Sequence, residues 1–218
     1  MLSFLHKLRE KFRHGLIAHI VLIRLSRLGI RINPYIIYRE GSSSITENTP
    51  LEPSVERVTL ENFERLISGC AFEAQVSLDG WKKKLQEGQL GLVMRLRGEL
   101  VGYTWANLKY CFHYGRRTEL GPKQAYLRDT YISKRFRGQG MAVLIRQAMY
   151  RELLRRERTE FFSVSEFLNT PAKNFKSHLG AMPLELRLSL KFFGHRNANI
   201  RLRTYADAAW PGHATEKR

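Results

Sequence analysis

Residues 129–142 hold the side chains best suited to chemistry, because an acidic group, several cations and two glycines crowd one junction. Asp129 lies on an extended stretch. Lys134, Arg135 and Arg137 follow, and Gly138 and Gly140 flank Gln139 just ahead of an apolar helical run opened by Met141 and Ala142. Glycines there let the backbone approach a ligand closely, the first-turn N–H groups of the helix point outward, and the helix dipole favours negative charge. The loop is therefore expected to hold an anion, and a pyrophosphate fits best. The residues alone leave Asp129 open between a working carboxylate and a strand carboxylate paired with Arg128 or another base.

The elements that position this loop are read from periodicity. Residues 126–132 form a strand with polar side chains on both faces, Leu127, Asp129 and Tyr131 alternating with Tyr126, Arg128, Thr130 and Ile132. The helix after the loop runs to about residue 158 on a stripe of Met141, Leu144, Ile145, Ala148, Met149 and Leu153. Residues 161–164 read as a short buried strand. Asn169 is then an N-cap, with Pro171 just inside a helix that ends near Gly180. Upstream come a short strand (55–58), two helices (62–68 and 79–86) and a hairpin (92–96 and 100–105) turning at Arg97-Gly98. Two strands, 184–193 and 200–205, close the pattern. This order predicts an α/β protein with a mixed sheet and helices on both faces.

Residues 1–30 read as a basic amphipathic helix, with Leu5, Leu8, Phe12, Leu16, Ile20 and Ile23 on one side and Lys7, Arg9, Lys11 and Arg13 elsewhere. Asn33-Pro34 stops that pattern, and the segment from Gly41 through Pro50 and Pro53 is polar and turn-forming. Residues 1–50 are thus expected as an extension and linker, 51–206 as the main domain and 207–218 as a flexible tail.

With 37 Lys and Arg against 20 Asp and Glu, the chain carries a formal charge of +17, so an anionic partner is expected. A phosphorylated cofactor, an acidic acyl carrier protein, a nucleotide-linked substrate and an anionic membrane met peripherally through residues 1–30 all suit that charge. Nucleic acid is disfavoured, since no recognition motif is present and the cations are spread from end to end. No apolar run approaches a spanning length and no secretory signal is seen, which points to the cytoplasm. The two cysteines, Cys70 and Cys111, fit free thiols in a reducing compartment. Cys111 and His113 share one strand face without a third group, so neither a nucleophile nor a metal site is expected there.

Arg137-Gly138-Gln139-Gly140-Met141-Ala142 resembles the Arg/Gln-x-x-Gly-x-Gly/Ala signature of the GNAT superfamily, and residues 135–140 fit the same pattern one step upstream. Asn169-Thr170-Pro171-Ala172, with Gly180 beyond it, resembles the Asn-x-x-Ala…Gly segment of that family's last helix. The resemblance implies a central mixed, mostly antiparallel sheet flanked by helices over about residues 55–194. It also implies acetyl-CoA or another acyl-CoA as donor, no metal, and transfer of the acyl group to a small-molecule amine. It assigns the cofactor to Tyr131, Ile132, Arg137, Gly138, Gln139, Gly140, Met141, Ala142 and Asn169. Asp129 becomes the carboxylate that removes a proton from the amine, directly or through water. Where the family often has a tyrosine acid seven residues after the Asn, this chain has Lys176, with Tyr131 or Ser177 as substitutes. An anionic amine such as an amino sugar nucleotide would suit the charge; a carrier-protein donor and a non-catalytic binding module are the alternative readings.

Overall fold

The computed structural model describes residues 24, 26–41, 53–67, 77–193 and 196–205. Most of the helix predicted over residues 1–30, the linker core, Cys70 and the tail lie outside the described residues.

Ten strands and four helices are present among the described residues: β1 Ile30–Glu40, β2 Ser54–Val58, α1 Phe63–Ile67, α2 Leu78–Gln86, β3 Leu90–Leu96, β4 Glu99–Asn107, β5 Tyr110–His113, β6 Arg116–Glu119, β7 Gln124–Ile132, α3 Met141–Leu154, β8 Glu160–Glu166, α4 Thr170–His178, β9 Met182–Phe192 and β10 Arg196–Thr204. Eight strands form one sheet in the order β10-β9-β1-β8-β7-β4-β3-β2. Its pairs are antiparallel except β7 with β8, as the mixed, mostly antiparallel expectation requires.

Two elements were not foreseen. Residues 30–40 sit where the sequence pattern suggested the end of an extension and the start of a linker, yet they form β1, paired with β8 on one side and β9 on the other. Tyr35, Ile36, Ile37 and Tyr38 are all buried, so the strand shows a continuous apolar run rather than an alternation. Pro34, read as a helix stop, is accommodated at the point where pairing with β8 begins. The second is the β5–β6 hairpin, whose turn residues Tyr114 and Gly115 both have positive φ (47° and 77°), the backbone of a tight two-residue turn.

The core lies on both faces of the sheet. On one, α3 buries Met149, Tyr150 and Leu153 against Leu90, Leu92, Leu127 and Phe161, with Leu179 beyond α4. On the other, α1 and α2 supply Phe63, Leu66, Ile67 and Trp81 against Val58, Val93 and Trp105.

The sheet opens at one place. Parallel pairing of β7 with β8 ends at Leu127 and Ser163, although β7 runs on to Ile132. On its other side β7 stays with β4, but Tyr103 faces Tyr131 while Trp105 faces Arg128, so β7 spends three residues where β4 spends two. The extra residue makes a β-bulge. Asp129 occupies it with φ 48°, a left-handed conformation that Asp tolerates better than most residues. Gly102 fixes the contact on the β4 side, since a Cβ there would overlap the Tyr131 carbonyl and stand 2.7 Å from Ile132 Cδ1.

Below the opening, a buried polar cluster ties β1, β8, α3 and α4 together. Glu40 accepts from Lys176 Nζ at 3.0 Å and from the Tyr150 hydroxyl at 2.5 Å, and Arg146 Nε stands 3.5 Å away. Lys176 also donates to the Ser163 hydroxyl. Burial alone would raise the Glu40 carboxyl, but Arg146, Lys176 and hydrogen bonds from Ser163 and Tyr150 outweigh it and hold it at about 2. Its folded value lies below the ordinary 4.5, so its contribution to stability is complete above that value and is lost as pH falls toward about 2. Glu40→Gln leaves two buried cations without their carboxylate, so urea unfolding at pH 7 should show a loss of roughly 3–5 kcal/mol. The same variant should lose part of the wild type's acid sensitivity.

Candidate active site

The loop between β7 and α3 begins with a 3-10 turn, Lys134–Phe136, anchored by the buried ring of Phe136. That ring packs with Val101, Ile132, Met141 and Ile145, which fixes the strand end, loop and helix start as one body. Gly138 and Gly140 both have φ 76°, and a Cβ at either would meet nothing within 4 Å, so the loop presents bare backbone to open space. Gly140 is the N-cap of α3 and has no side chain to satisfy the first-turn N–H groups. Arg137 Nε donates to the Ile132 carbonyl at 3.0 Å, closing the loop onto β7, and the Gln139 amide donates to the Arg135 carbonyl at 2.9 Å. Arg135 itself pairs with Glu99 at 2.8 Å, while Lys134 and Arg137 are exposed. A cradle of this kind fits a pyrophosphate.

Beyond Leu127 the β8-facing edge of β7 has no neighbouring strand among the described residues, so residues 128–132 offer backbone groups to whatever lies in the fork. Thr130 and Ile132 face α3; the Thr130 hydroxyl is 2.8 Å from that of Thr104 and accepts from Arg146 Nη2 at 2.6 Å. Tyr131 turns to the opposite face, where it stacks on Tyr103 at 5.4 Å. Trp81 meets Tyr103 and Trp105 edge-on, each at 5.1 Å, so α2 builds an aromatic wall on that side.

Asp129 lies at the mouth of this wall, held by Lys84 at 2.6 Å and Arg128 at 2.9 Å. Burial pushes its carboxyl up, but the Lys84 hydrogen bond and the charges of Lys84 and Arg128 bring it below the ordinary range. It is therefore ionised at neutral pH. The carboxylate is thus ion-paired, as one of the two expectations has it, and it lies where the strand opens.

Asn169 caps α4, its side chain accepting from Ala172 N at 3.0 Å, and is exposed near the end of β8. Lys176, on the same helix, points inward to Glu40 and Ser163, and its ammonium is pushed down from its ordinary range by burial and by Arg146 while Glu40 opposes the shift. Ser177 is exposed at the next position. Asp129, Tyr131, Ile132, Arg137, Gly138, Gln139, Gly140, Met141 and Ala142 thus share one strand, loop and helix; Lys176 reaches Ser163, the last β8 residue paired with β7, from α4, while the Asn169 side chain bonds its own helix start. Cys111 and His113 lie elsewhere, on β5 of the β5–β6 hairpin, with Sγ 3.0 Å from Nδ1. Burial pushes the Cys111 thiol well up, and burial with the charges of Arg116 and Arg187 pushes His113 down to about 4. That pair is neutral. Among the described residues no group of three His, Cys, Asp or Glu could hold a metal ion, and no helix is long and apolar enough to cross a membrane.

Several residues that shape the fork were not singled out from the sequence: Lys84, Thr130, Arg146, Tyr150, Ser163 and Glu40. One signal was present, because Arg146 stands between Ile145 and Met149 on the inward stripe of α3, where an arginine needs a buried partner.

Solved structures with this fold include a conserved protein of unknown function from Staphylococcus epidermidis, 15% identical with TM-score 0.55, covering 79% of this chain and 66% of that one. A GNAT-family acetyltransferase from Colwellia psychrerythraea is 11% identical with TM-score 0.54, covering 75% of this chain and 57% of its own. A tandem GNAT protein of the clavulanic acid biosynthesis pathway is 16% identical with TM-score 0.53, covering 77% and 54%. The chain thus spans 54% to 66% of the length of these structural relatives. No curated protein matches the sequence. The family model for the acetyltransferase (GNAT) family matches residues 58–181, a span that contains both the opened strand and the glycine loop, and the chain belongs to that family.

Proposed function

We propose that this protein is an acyl-CoA-dependent N-acyltransferase that joins donor and amine in a ternary complex at the β7–β8 fork. One observation carries the reading: β7 leaves β8 at Leu127 and, through the glycine-bearing loop of residues 133–140, leads into a helix start with no side-chain cap. A pyrophosphate on the backbone of residues 138–142 would leave the rest of the donor's arm to lie along the free edge of residues 128–132. Backbone N–H groups of that edge are suited to hold the arm and polarise the thioester carbonyl. Asn169, whose side-chain oxygen caps α4, has amide hydrogens to offer to the same arm.

In the proposed reaction the amine nitrogen attacks the thioester carbon, the new C–N bond forms, and the C–S bond breaks with its electrons leaving on sulfur. Asp129 holds the incoming ammonium and takes its proton before attack, directly or through water, and the nitrogen's second proton leaves to solvent as the intermediate collapses to the amide. Because Lys84 and Arg128 weaken its hold on a proton, Asp129 passes it on readily. The acid limb of the rate profile should then follow the amine rather than Asp129. Lys176 supplies positive charge at the root of the fork for the departing thiolate, with Tyr131 and solvent as further proton sources; a thiol pKa of about 8.5 makes this step undemanding. Lys84 and Arg128 beside the acceptor side suit an amine that carries negative charge, such as an amino sugar nucleotide.

The charge of +17 and the exposed Lys134 and Arg137 favour a second reading, in which an acidic acyl carrier protein delivers the acyl group. Under that reading transfer falls steeply with salt when the carrier is donor, and no free CoA thioester serves.

Acetyl-CoA at about 100 times its dissociation constant should stabilise the protein by roughly 2.7 kcal/mol, read as a rise in melting temperature. Gly140→Asp should abolish that rise, because it places a side chain and a negative charge on the anion cradle; no saturable rise with any acyl-CoA would overturn the CoA reading. Asp129→Asn, which keeps the bulge backbone, should lower kcat by about 100-fold or more while acetyl-CoA still raises the melting temperature. An undiminished kcat would remove Asp129 from the proton path.

A further inference from the structure

Arg146 is 3% exposed, and the fold uses only part of its hydrogen-bonding capacity. Its Nη2 donates to the Thr130 hydroxyl at 2.6 Å, its Nε stands 3.5 Å from Glu40, and its guanidinium lies 5.6 Å from the ring centre of Phe175. Among the described residues Nη1 has no hydrogen-bond acceptor, and Nε has only the Glu40 carboxylate at ion-pair distance. An arginine cannot shed its proton, so these donors remain a standing demand for an oxygen acceptor in a buried place. The charges around it point the same way. Arg146 and Lys176 face a single carboxylate, Glu40, which already accepts from Lys176 and Tyr150. Burial is the main cause that pushes the Lys176 ammonium down, with Glu40 opposing the shift and Arg146 adding to it.

The position of this guanidinium matters as much as its unmet donors. Thr130 belongs to the free edge of β7, three residues past the last β7–β8 pair, and Arg146 is one hydrogen bond from its side chain. If the thioester lies along residues 128–132, the acyl group projecting toward α3 meets Arg146 within a few carbon atoms. A plain acetyl or longer alkyl group would leave the donors unmet. An acyl group ending in a carboxylate would accept a charge-assisted hydrogen bond from Nη1 while Nε keeps its place beside Glu40, and it would balance the second cation.

We propose that Arg146 binds the terminal carboxylate of the donor's acyl group, so that the protein takes acyl groups of the short dicarboxylic class, such as malonyl or succinyl, in preference to acetyl. This rests on the CoA reading of the fork given above. Calorimetric titration of the full chain with CoA, butyryl-CoA and succinyl-CoA tests it, because butyryl and succinyl share a four-carbon length and differ in the terminal group. Succinyl-CoA should bind at least about tenfold more tightly than butyryl-CoA, the scale of a hydrogen bond to a charged group. In Arg146→Met that difference should vanish, and Arg146→Lys should restore part of it. Should Arg146→Met fail to fold, the wild-type comparison still decides. Binding of CoA and butyryl-CoA with no gain for succinyl-CoA overturns this inference and leaves the CoA reading standing; failure of CoA and both thioesters to bind overturns the two together.

Discussion

Parallel strands β7 and β8 part after Leu127 and Ser163, and the rest of the site follows from that separation. A strand inside a sheet has both edges satisfied by neighbours and can offer a ligand only side chains. Once β7 carries an extra residue at Asp129, the strand bends, keeps β4 on one side and frees its backbone on the other. The same bulge turns the Asp129 carboxylate toward Lys84, while Thr130 turns to the α3 side. A single backbone irregularity therefore produces a free edge and a redirected carboxylate, and the strand it bends leads directly into the anion loop. Gly102 allows it by letting β4 approach where any side chain would collide.

An open fork inside a sheet needs support, and here that support is polar. Glu40 on β1, Arg146 and Tyr150 on α3, Ser163 on β8 and Lys176 on α4 meet beneath it. Such a cluster is poorly suited to maximising stability, because desolvating ions offsets much of their attraction. It does define geometry sharply: β1 is held by the same carboxylate that orients both helices flanking the fork. In this chain the inward position of α4 is a lysine bound to that carboxylate, so charge rather than a phenol faces the departing thiolate in the proposed reaction.

How much of this was legible depended on whether the signal was local. The glycine loop, the Asn169 cap with Pro171, and the inward stripe of α3 are written in adjacent residues, and each appears where it was read. β1 was hidden because its buried run, Tyr35 to Tyr38, has no alternation and follows a proline that reads equally well as a stop. The bulge left a trace, polar residues on both faces of residues 126–132, whose cause appears only once β4 is aligned beside the strand. The ion cluster could not be read at all as a unit. Glu40 and Lys176 are 136 residues apart, and nothing near either one announces the other.

Hydrogen exchange of the full chain with and without acetyl-CoA bears most directly on the claim that the opened strand and the glycine loop form one cofactor site. Amides of residues 128–132 and 138–144 should slow together as the ligand saturates, while those of the β5–β6 hairpin should not change. Slowing confined to another surface, or no slowing at saturating ligand, would contradict the account.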